Sequence, residues 1–190
     1  MVISILIAGW FVYLALHSVL ASLPVKAWMS RVMGPYYKYY RVLYVGIATI
    51  GLLLMLYLNA SAPSEDLINR HGLVRYLSLV FAAFGVIIFK VAFRSYRFSS
   101  FIGIKEEEEK VFIRTGILAS IRHPIYLATI LLVIGFWLYS PNLTTLVSVL
   151  CILVYLPIGI WLEEKKLVKL FGERYIEYKR EVPAIFPRLW

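Results

Sequence analysis

The chain has 190 residues, 61% of them hydrophobic, with a mean hydropathy of +0.78 and a formal net charge of +9. Soluble globular domains carry about 45–50% apolar residues, so an ordinary water-soluble fold is excluded and lipid is the solvent that suits the excess apolar surface. The positive charge does not point to nucleic acid, because Lys and Arg flank apolar runs instead of forming a basic face, and with Cys151 as the one cysteine no intrachain disulfide can form.

Five apolar runs follow in chain order, each long enough, or nearly so, to cross about 30 Å of hydrocarbon. The first is 2–20, VISILIAGWFVYLALHSVL. It lacks a positive n-region, so a span is expected rather than a cleaved signal peptide. His17 and Ser18 lie late in it, and an ionisable group inside a span is a functional candidate by default. The second run is 42–60 and the third 74–93. The fourth, 125–139, is short and follows Pro124 directly, a residue suited to the first turn of a helix. The fifth is 143–162. Only Ser140, Pro141 and Asn142 join the last two, so an antiparallel helical hairpin is expected.

The cations sit on alternate connections. Lys26, Arg31, Lys38 and Arg41 follow the first run. Arg94, Arg97, Lys105, Lys110, Arg114 and Arg122 follow the third. Lys165, Lys166, Lys169, Arg174, Lys179, Arg180 and Arg188 fill the tail, whereas the second-to-third connection has only Arg70 and Arg75 and the last turn has none. The positive-inside rule then places the N-terminus outside and the C-terminus in the cytoplasm. The expectation is an all-α, polytopic membrane helix bundle of about five transmembrane helices, one domain over 1–190. A cytoplasmic loop, 94–124, and a helical cytoplasmic tail, 163–190, share one face. Leu167, Leu170, Phe171, Tyr175 and Tyr178 form an apolar and aromatic stripe from Glu163 to about Arg180, and Pro183 and Pro187 end it.

Several polar clusters have ordinary explanations. Arg122 suits lipid phosphate, Glu163 and Glu164 suit a helix leaving the membrane beside Lys166 and Lys169, and Glu106–Glu109 suits a solvated loop. Lys90, Arg94 and Arg97 share a helical face that suits headgroups. Asp66 is the only aspartate, no His/Cys/Asp/Glu spacing forms a metal site, and no phosphate-binding glycine loop or GxSxG is present.

Two motifs acquire meaning as a pair. TGILASIRHPIYLA at 115–128 is followed, after the hairpin, by LEEKKLVKLFGERYIEYKREVPAIFP at 162–187. Together they resemble the membrane methyltransferase superfamily of isoprenylcysteine carboxyl methyltransferases and phospholipid methyltransferases, over about the last 80 residues. The five-span layout is similar to the small prokaryotic members. The resemblance implies S-adenosyl-L-methionine as methyl donor, bound between the loop before RHPIY, the hairpin and the C-terminal helix. His123, Pro124, Ile125, Tyr126 and Glu163 match cofactor-contacting positions. Phe112 and Ile113 match a strand-like stretch that lines the cofactor, and Glu164 completes the paired glutamates.

The chemistry of these residue types suits that donor. A carboxylate such as Glu163 accepts from a ribose or an ammonium, Arg122 or a backbone N–H suits a carboxylate, and Tyr126, Tyr175 and Tyr178 offer ring faces for adenine or a sulfonium. No catalytic base stands out, and an anionic acceptor would need none. The implied partners are membrane lipid and a small hydrophobic or lipidated acceptor, without nucleic acid; the oligomeric state is not legible.

Isoprenylcysteine enzymes carry a Tyr where this chain has Leu118, an Arg where it has Gly159 and a His where it has Lys110, so the acceptor stays open between carboxylate, thiol and amine. LHSVLASLPVK, 16–26, is similar to the start of small membrane proteins related to bacterial thiol S-methyltransferases and denitrification-associated membrane proteins. Two alternatives share part of the pattern. One is an NADPH-dependent reductase like the membrane sterol reductases, whose tails differ from EE…FGERY. The other is a non-catalytic membrane protein that keeps the fold.

Overall fold

The computed structural model describes residues 2–62, 64–95 and 112–187. The 96–111 stretch, with Arg97, Lys105, the four glutamates and Lys110, lies outside them, as does Arg188. The described chain is helical, and among the described residues the one strand-like pairing is an antiparallel bridge between Asp66 and Asn142. Helix α1 spans Val2–Ala21, α2 Leu23–Met33, α3 Tyr40–Ser61, α4 Leu73–Ser95, α5 Pro124–Tyr139, α6 Leu143–Phe171 and α7 Glu173–Glu181, with 3₁₀ turns at Gly34–Tyr39 and Gly116–Ala119.

Four stretches are long and apolar enough to cross a membrane: α1, the helical run from Leu23 to Ser61, α4 and α6. The fifth expected span, α5, has 16 residues, about 24 Å of helix. It is apolar throughout and lies tightly against α4, its most extensive neighbour. Small residues permit that approach. A Cβ on Gly135 would sit 3.0 Å from the Ala82 nitrogen and 3.0 Å from the Ser78 oxygen, and one on Gly85 would meet Leu132 Cγ at 2.7 Å. The hairpin with α6 is present, but α4 is the closer partner of α5. This is a multi-pass integral membrane protein.

The basic segment after α1 is not a loop. Ser22 in extended conformation and Pro24 in the first turn start α2, and Pro35 starts the 3₁₀ turn that leads into α3. Trp28, Val32, Tyr36 and Tyr39 are exposed beside Lys26, Arg31 and Lys38, the mixture expected of a helix lying at a membrane interface.

A buried polar chain ties α1, α3 and α6 together. Trp10 Nε1 donates to Ser148 Oγ at 2.9 Å, Ser148 Oγ donates to Asn59 Oδ1 at 2.8 Å, and Asn59 Nδ2 donates to Thr145 Oγ1 at 3.2 Å. Every polar atom in it is satisfied, as a low-dielectric interior demands. Leu6, Trp10 and Met55 form the apolar cluster beside it. Asn142 caps α6 by accepting from the Thr145 N–H at 2.9 Å, and the Leu67 N–H donates to the Pro141 carbonyl at 2.7 Å. The start of α1, the 64–72 connection and the 140–142 turn therefore lie at one end of the bundle.

At the other end α6 overshoots the expected stop at Leu162. Its 29 residues make about 44 Å of helix, longer than roughly 30 Å of hydrocarbon, and its charged residues, Glu163, Glu164, Lys165, Lys166 and Lys169, all lie in its last third. Gly172, at φ +58°, ends it in a left-handed conformation and turns the chain into α7. The expected helical tail is thus one long helix, a glycine corner and a short amphipathic helix.

Candidate active site

The site grows from Pro124. It begins α5, and His123 before it caps that helix at φ −122° and ψ 63°, outside the helical region as a residue preceding proline must be. The segment after α7 folds back onto this corner. The Arg122 N–H donates to the Pro183 carbonyl and the His123 N–H to the Ala184 carbonyl, each at 2.9 Å. Two sequence-distant motifs, RHPIY and VPAIFP, are thereby clipped side by side.

Glu164 is the hub. Its Oε1 accepts from Arg122 Nε at 3.0 Å and Nη2 at 2.7 Å, and from His123 Nε2 at 3.1 Å. Its Oε2 faces Lys179 Nζ at 2.7 Å. The Arg122 and Glu164 side chains are 9% and 12% exposed. Burial alone would favour the neutral acid, but hydrogen bonds from Lys179, Arg122 and His123 outweigh it and hold the Glu164 carboxyl at about 2. The remaining Arg122 donors go to main chain: Nη1 donates to the Lys179 carbonyl at 3.0 Å and to the Val182 carbonyl. Arg122 is thus committed within the protein.

Glu163 differs from its neighbour. Its side chain is 42% exposed, and its Oε2 lies 3.7 Å from His123 Nδ1, beyond direct hydrogen bonding. The Tyr126 ring stands edge-on to His123 with centroids 5.4 Å apart, and its hydroxyl lies near the same carboxylate. Gly159 makes room for that tyrosine: a Cβ there would meet Tyr126 Oη at 3.2 Å and Tyr155 Cε1 at 3.3 Å. A side chain at this place would need Tyr126 or Tyr155 to give by a few tenths of an ångström.

Aromatic rings close the site on the tail side. Tyr175, Tyr178 and Val182 form a buried cluster with Phe112, Phe171 and Leu167. The Phe112 centroid lies 5.2 Å from Phe171, 6.1 Å from Tyr175 and 5.4 Å from Tyr178. Ile113 follows in irregular backbone, half-buried, and no strand forms there. Ile125 is half-buried on the first turn of α5. Tyr178 Oη donates to the Leu118 carbonyl at 2.5 Å, so position 118 contributes its main chain here. Gly116, at φ +63°, permits the turn that presents it.

Tyr175 is the exception to this satisfied network. It is 2% exposed, yet its hydroxyl has no hydrogen-bond partner among the described residues. Burial first, then the Glu164 and Glu163 carboxylates, push that hydroxyl's pKa up, with Arg122 opposing. It stays a neutral donor facing two carboxylates. A buried orphan hydroxyl is uncommon and marks a place where a bound polar group fits.

Sequence reasoning brought His123, Pro124, Tyr126, Glu163, Glu164 and Tyr175 to one place, and the fold does the same. It missed Lys179 as the third donor to Glu164, and it missed the backbone clip at Pro183 and Ala184. The spacing of fifteen residues from Glu164 to Lys179 carries no periodic signal, because the Gly172 corner intervenes.

The fold and this site define a class: a small multi-pass helical membrane protein with an ionic and aromatic centre where its last hairpin meets its tail. The chain belongs to the NnrU protein family, whose pattern matches residues 5–186. It is 31% identical over 186 residues to a methanethiol S-methyltransferase of Crocosphaera subtropica, covering 90% of this chain and 69% of that one. It is 30% identical to a methanethiol S-methyltransferase of Pseudomonas deceptionensis, covering 91% and 68%. A protein-S-isoprenylcysteine O-methyltransferase of Saccharomyces cerevisiae is 34% identical over 93 residues, covering 48% of this chain and 39% of the relative. No solved structure matches significantly.

Proposed function

We propose that this protein is an integral-membrane methyltransferase that uses S-adenosyl-L-methionine to methylate a small hydrophobic or lipid-like acceptor. The observation that carries the reading is the conjunction of a half-exposed carboxylate, Glu163, with a buried hydroxyl, Tyr175, that has no hydrogen-bond partner among the described residues. The relatives above, all named methyltransferases, support the same activity.

The residues suit the donor. Glu163 is free to accept from an ammonium or a ribose hydroxyl, and the Tyr175 hydroxyl is free to donate or accept. The faces of Tyr126 and Tyr175 suit a sulfonium or an adenine. His123, Pro124, Ile125, Phe112 and Ile113 form the surrounding wall, while Arg122 and Glu164 brace it. When bound, the donor supplies an electrophilic methyl group. The protein's part is positioning and drying: holding reactants in line supplies about 7–11 kcal/mol of barrier lowering, and a buried site favours loss of a charge that water would stabilise. The alternation of Lys and Arg supports a cytoplasmic tail and site, with the N-terminus outside.

The relatives that match over nearly the whole chain are named for a thiol acceptor, whereas the isoprenylcysteine match covers about half of it. With Gly159 in place of an arginine, this favours a small acceptor.

Thermal unfolding of the purified protein with S-adenosylmethionine, S-adenosylhomocysteine or NADPH tests the reading. A ligand selective for the native state adds about 2.7 kcal/mol at 100 times its dissociation constant. Stabilisation by both adenosyl compounds and none by NADPH is the expected result. Stabilisation by NADPH alone would replace the proposal with a reductase.

A further inference from the structure

A second feature lies away from the Glu164 hub, within the membrane-spanning part. Between α1 and α3 there is a half-open cavity of about 270 Å³, with the exposed Leu16, Ile47 and Ile50 at its edge. Its walls are mostly apolar, with Leu16, Leu20 and Ile47 among them, and three polar side chains reach it: Tyr13, His17 and Tyr44. The Tyr13 hydroxyl is committed, donating to the Ala48 carbonyl at 3.2 Å. The Tyr44 hydroxyl lies 3.1 Å from Nε2 and 3.2 Å from Nδ1 of His17. A hydroxyl and an imidazole together offer more donors and acceptors than one mutual hydrogen bond uses. Spare polar capacity inside a membrane span is costly and marks function by default.

We infer that this cavity is the acceptor site, and that it takes a small uncharged molecule with an apolar body and one thiol or hydroxyl, held at the His17–Tyr44 pair. The inference rests on the methyltransferase reading above. Three observations point to this ligand. First, the volume falls below the roughly 300–1,000 Å³ of sites for drug-sized ligands, so the part of the ligand held at the polar pair is small. Second, no Lys or Arg is among the lining residues and Arg41 acts on the Tyr44 hydroxyl only through its field, so a carboxylate or phosphate would lack a direct ion-pair partner there. Third, the polar pair points the way to the donor corner. Tyr155 pairs with Ser18 of α1, its ring lies against Gly159 beside Tyr126, and the Tyr126 ring stands edge-on to His123 of the donor corner. Side chains of α1, α6 and α5 thus lead from Ser18, next to His17, through Tyr155 and Tyr126 to His123 at the donor corner.

The test uses the full chain in lipid nanodiscs, with benzyl mercaptan and toluene as probes and S-adenosylhomocysteine binding measured in parallel. Ala48→Phe places a ring in the cavity, and Leu20→Phe does so from the opposite wall should the first fail to fold. Calorimetry is expected to give saturable thiol binding that either ring weakens at least tenfold while adenosyl binding stays unchanged. His17→Phe is expected to weaken thiol binding about tenfold and toluene binding less than twofold. Wild-type thiol affinity in a folded ring variant would overturn the site. Equal losses of thiol and toluene in His17→Phe would overturn the role of the polar pair. If thiol binds in the cavity but no form binds the adenosyl compound, the cavity stands as a ligand site and the methyltransferase reading falls.

Discussion

Arg122 donates to Glu164 through both Nε, at 3.0 Å, and Nη2, at 2.7 Å, across 42 residues of chain and with both side chains largely buried. This pair joins the start of α5 to the charged part of α6, and the remaining Arg122 contacts add the end of α7. It is the geometric centre of the site. Its neighbour Glu163, one residue away, faces outward, and the two adjacent glutamates therefore have different work.

Exchanging each glutamate for glutamine separates these roles. Glu164→Gln leaves Arg122 buried without its counter-charge, and breaking one side of such a pair costs about 3–5 kcal/mol. The expected outcome is a large drop in unfolding temperature. Glu163→Gln changes a half-exposed group, so its stability should stay within about 0.5 kcal/mol of wild type, while S-adenosylhomocysteine binds more weakly. Equal stability losses in the two variants would contradict the division.

Acid should weaken the hub in a defined direction. The Glu164 carboxyl titrates at about 2 in the folded chain against 4.5 ordinarily. The unfolded chain therefore binds the proton more readily, and protonation favours unfolding. The contribution of Glu164 is complete above the ordinary carboxylate value and is lost as pH falls through the folded value. The gap in unfolding temperature between wild type and Glu164→Gln is expected to be flat between about pH 7 and pH 5 and to narrow below about pH 4.5. A gap that widens in acid would show that the carboxylate is not held ionised.

Tyr175→Phe is expected to move stability and binding in opposite directions. Removing a buried hydroxyl that has no partner among the described residues lifts a desolvation penalty of about 1–3 kcal/mol, so the ligand-free protein should hold or gain stability. If that hydroxyl meets the donor, the affinity for S-adenosylhomocysteine falls by about the worth of one neutral hydrogen bond, 0.5–1.5 kcal/mol. Unfolding temperatures with and without ligand check both halves.

Gly135→Val addresses the fold. The added Cβ meets main-chain atoms of Ala82 and Ser78 at 3.0 Å, and backbone cannot yield as a flexible side chain does. Overpacking of this kind costs about 1–3 kcal/mol, read as a lower unfolding temperature in detergent. Gly46→Val, where a Cβ meets nothing within 4 Å, is the control and should lose far less.

Composition and hydropathy by themselves determined the solvent, the helical class and the order of the five apolar runs, because a backbone in lipid has to satisfy its own hydrogen bonds and leaves few solutions. The RHPIY and EE…FGERY motifs were legible as a pair, since each carries a proline or glycine corner that local sterics fix. The adjacent glutamates were not separable in one dimension. Which of them is buried depends on Lys179 arriving from beyond the Gly172 corner and on Arg122 from another helix. The basic segment after α1 read as a connection because its cations hid an amphipathic helix started by Pro24. His17 was legible as an ionisable group inside a span, but its partner and the cavity beside it belong to tertiary structure: Tyr44 lies 27 residues away, and only the packing of α1 on α3 brings the two together.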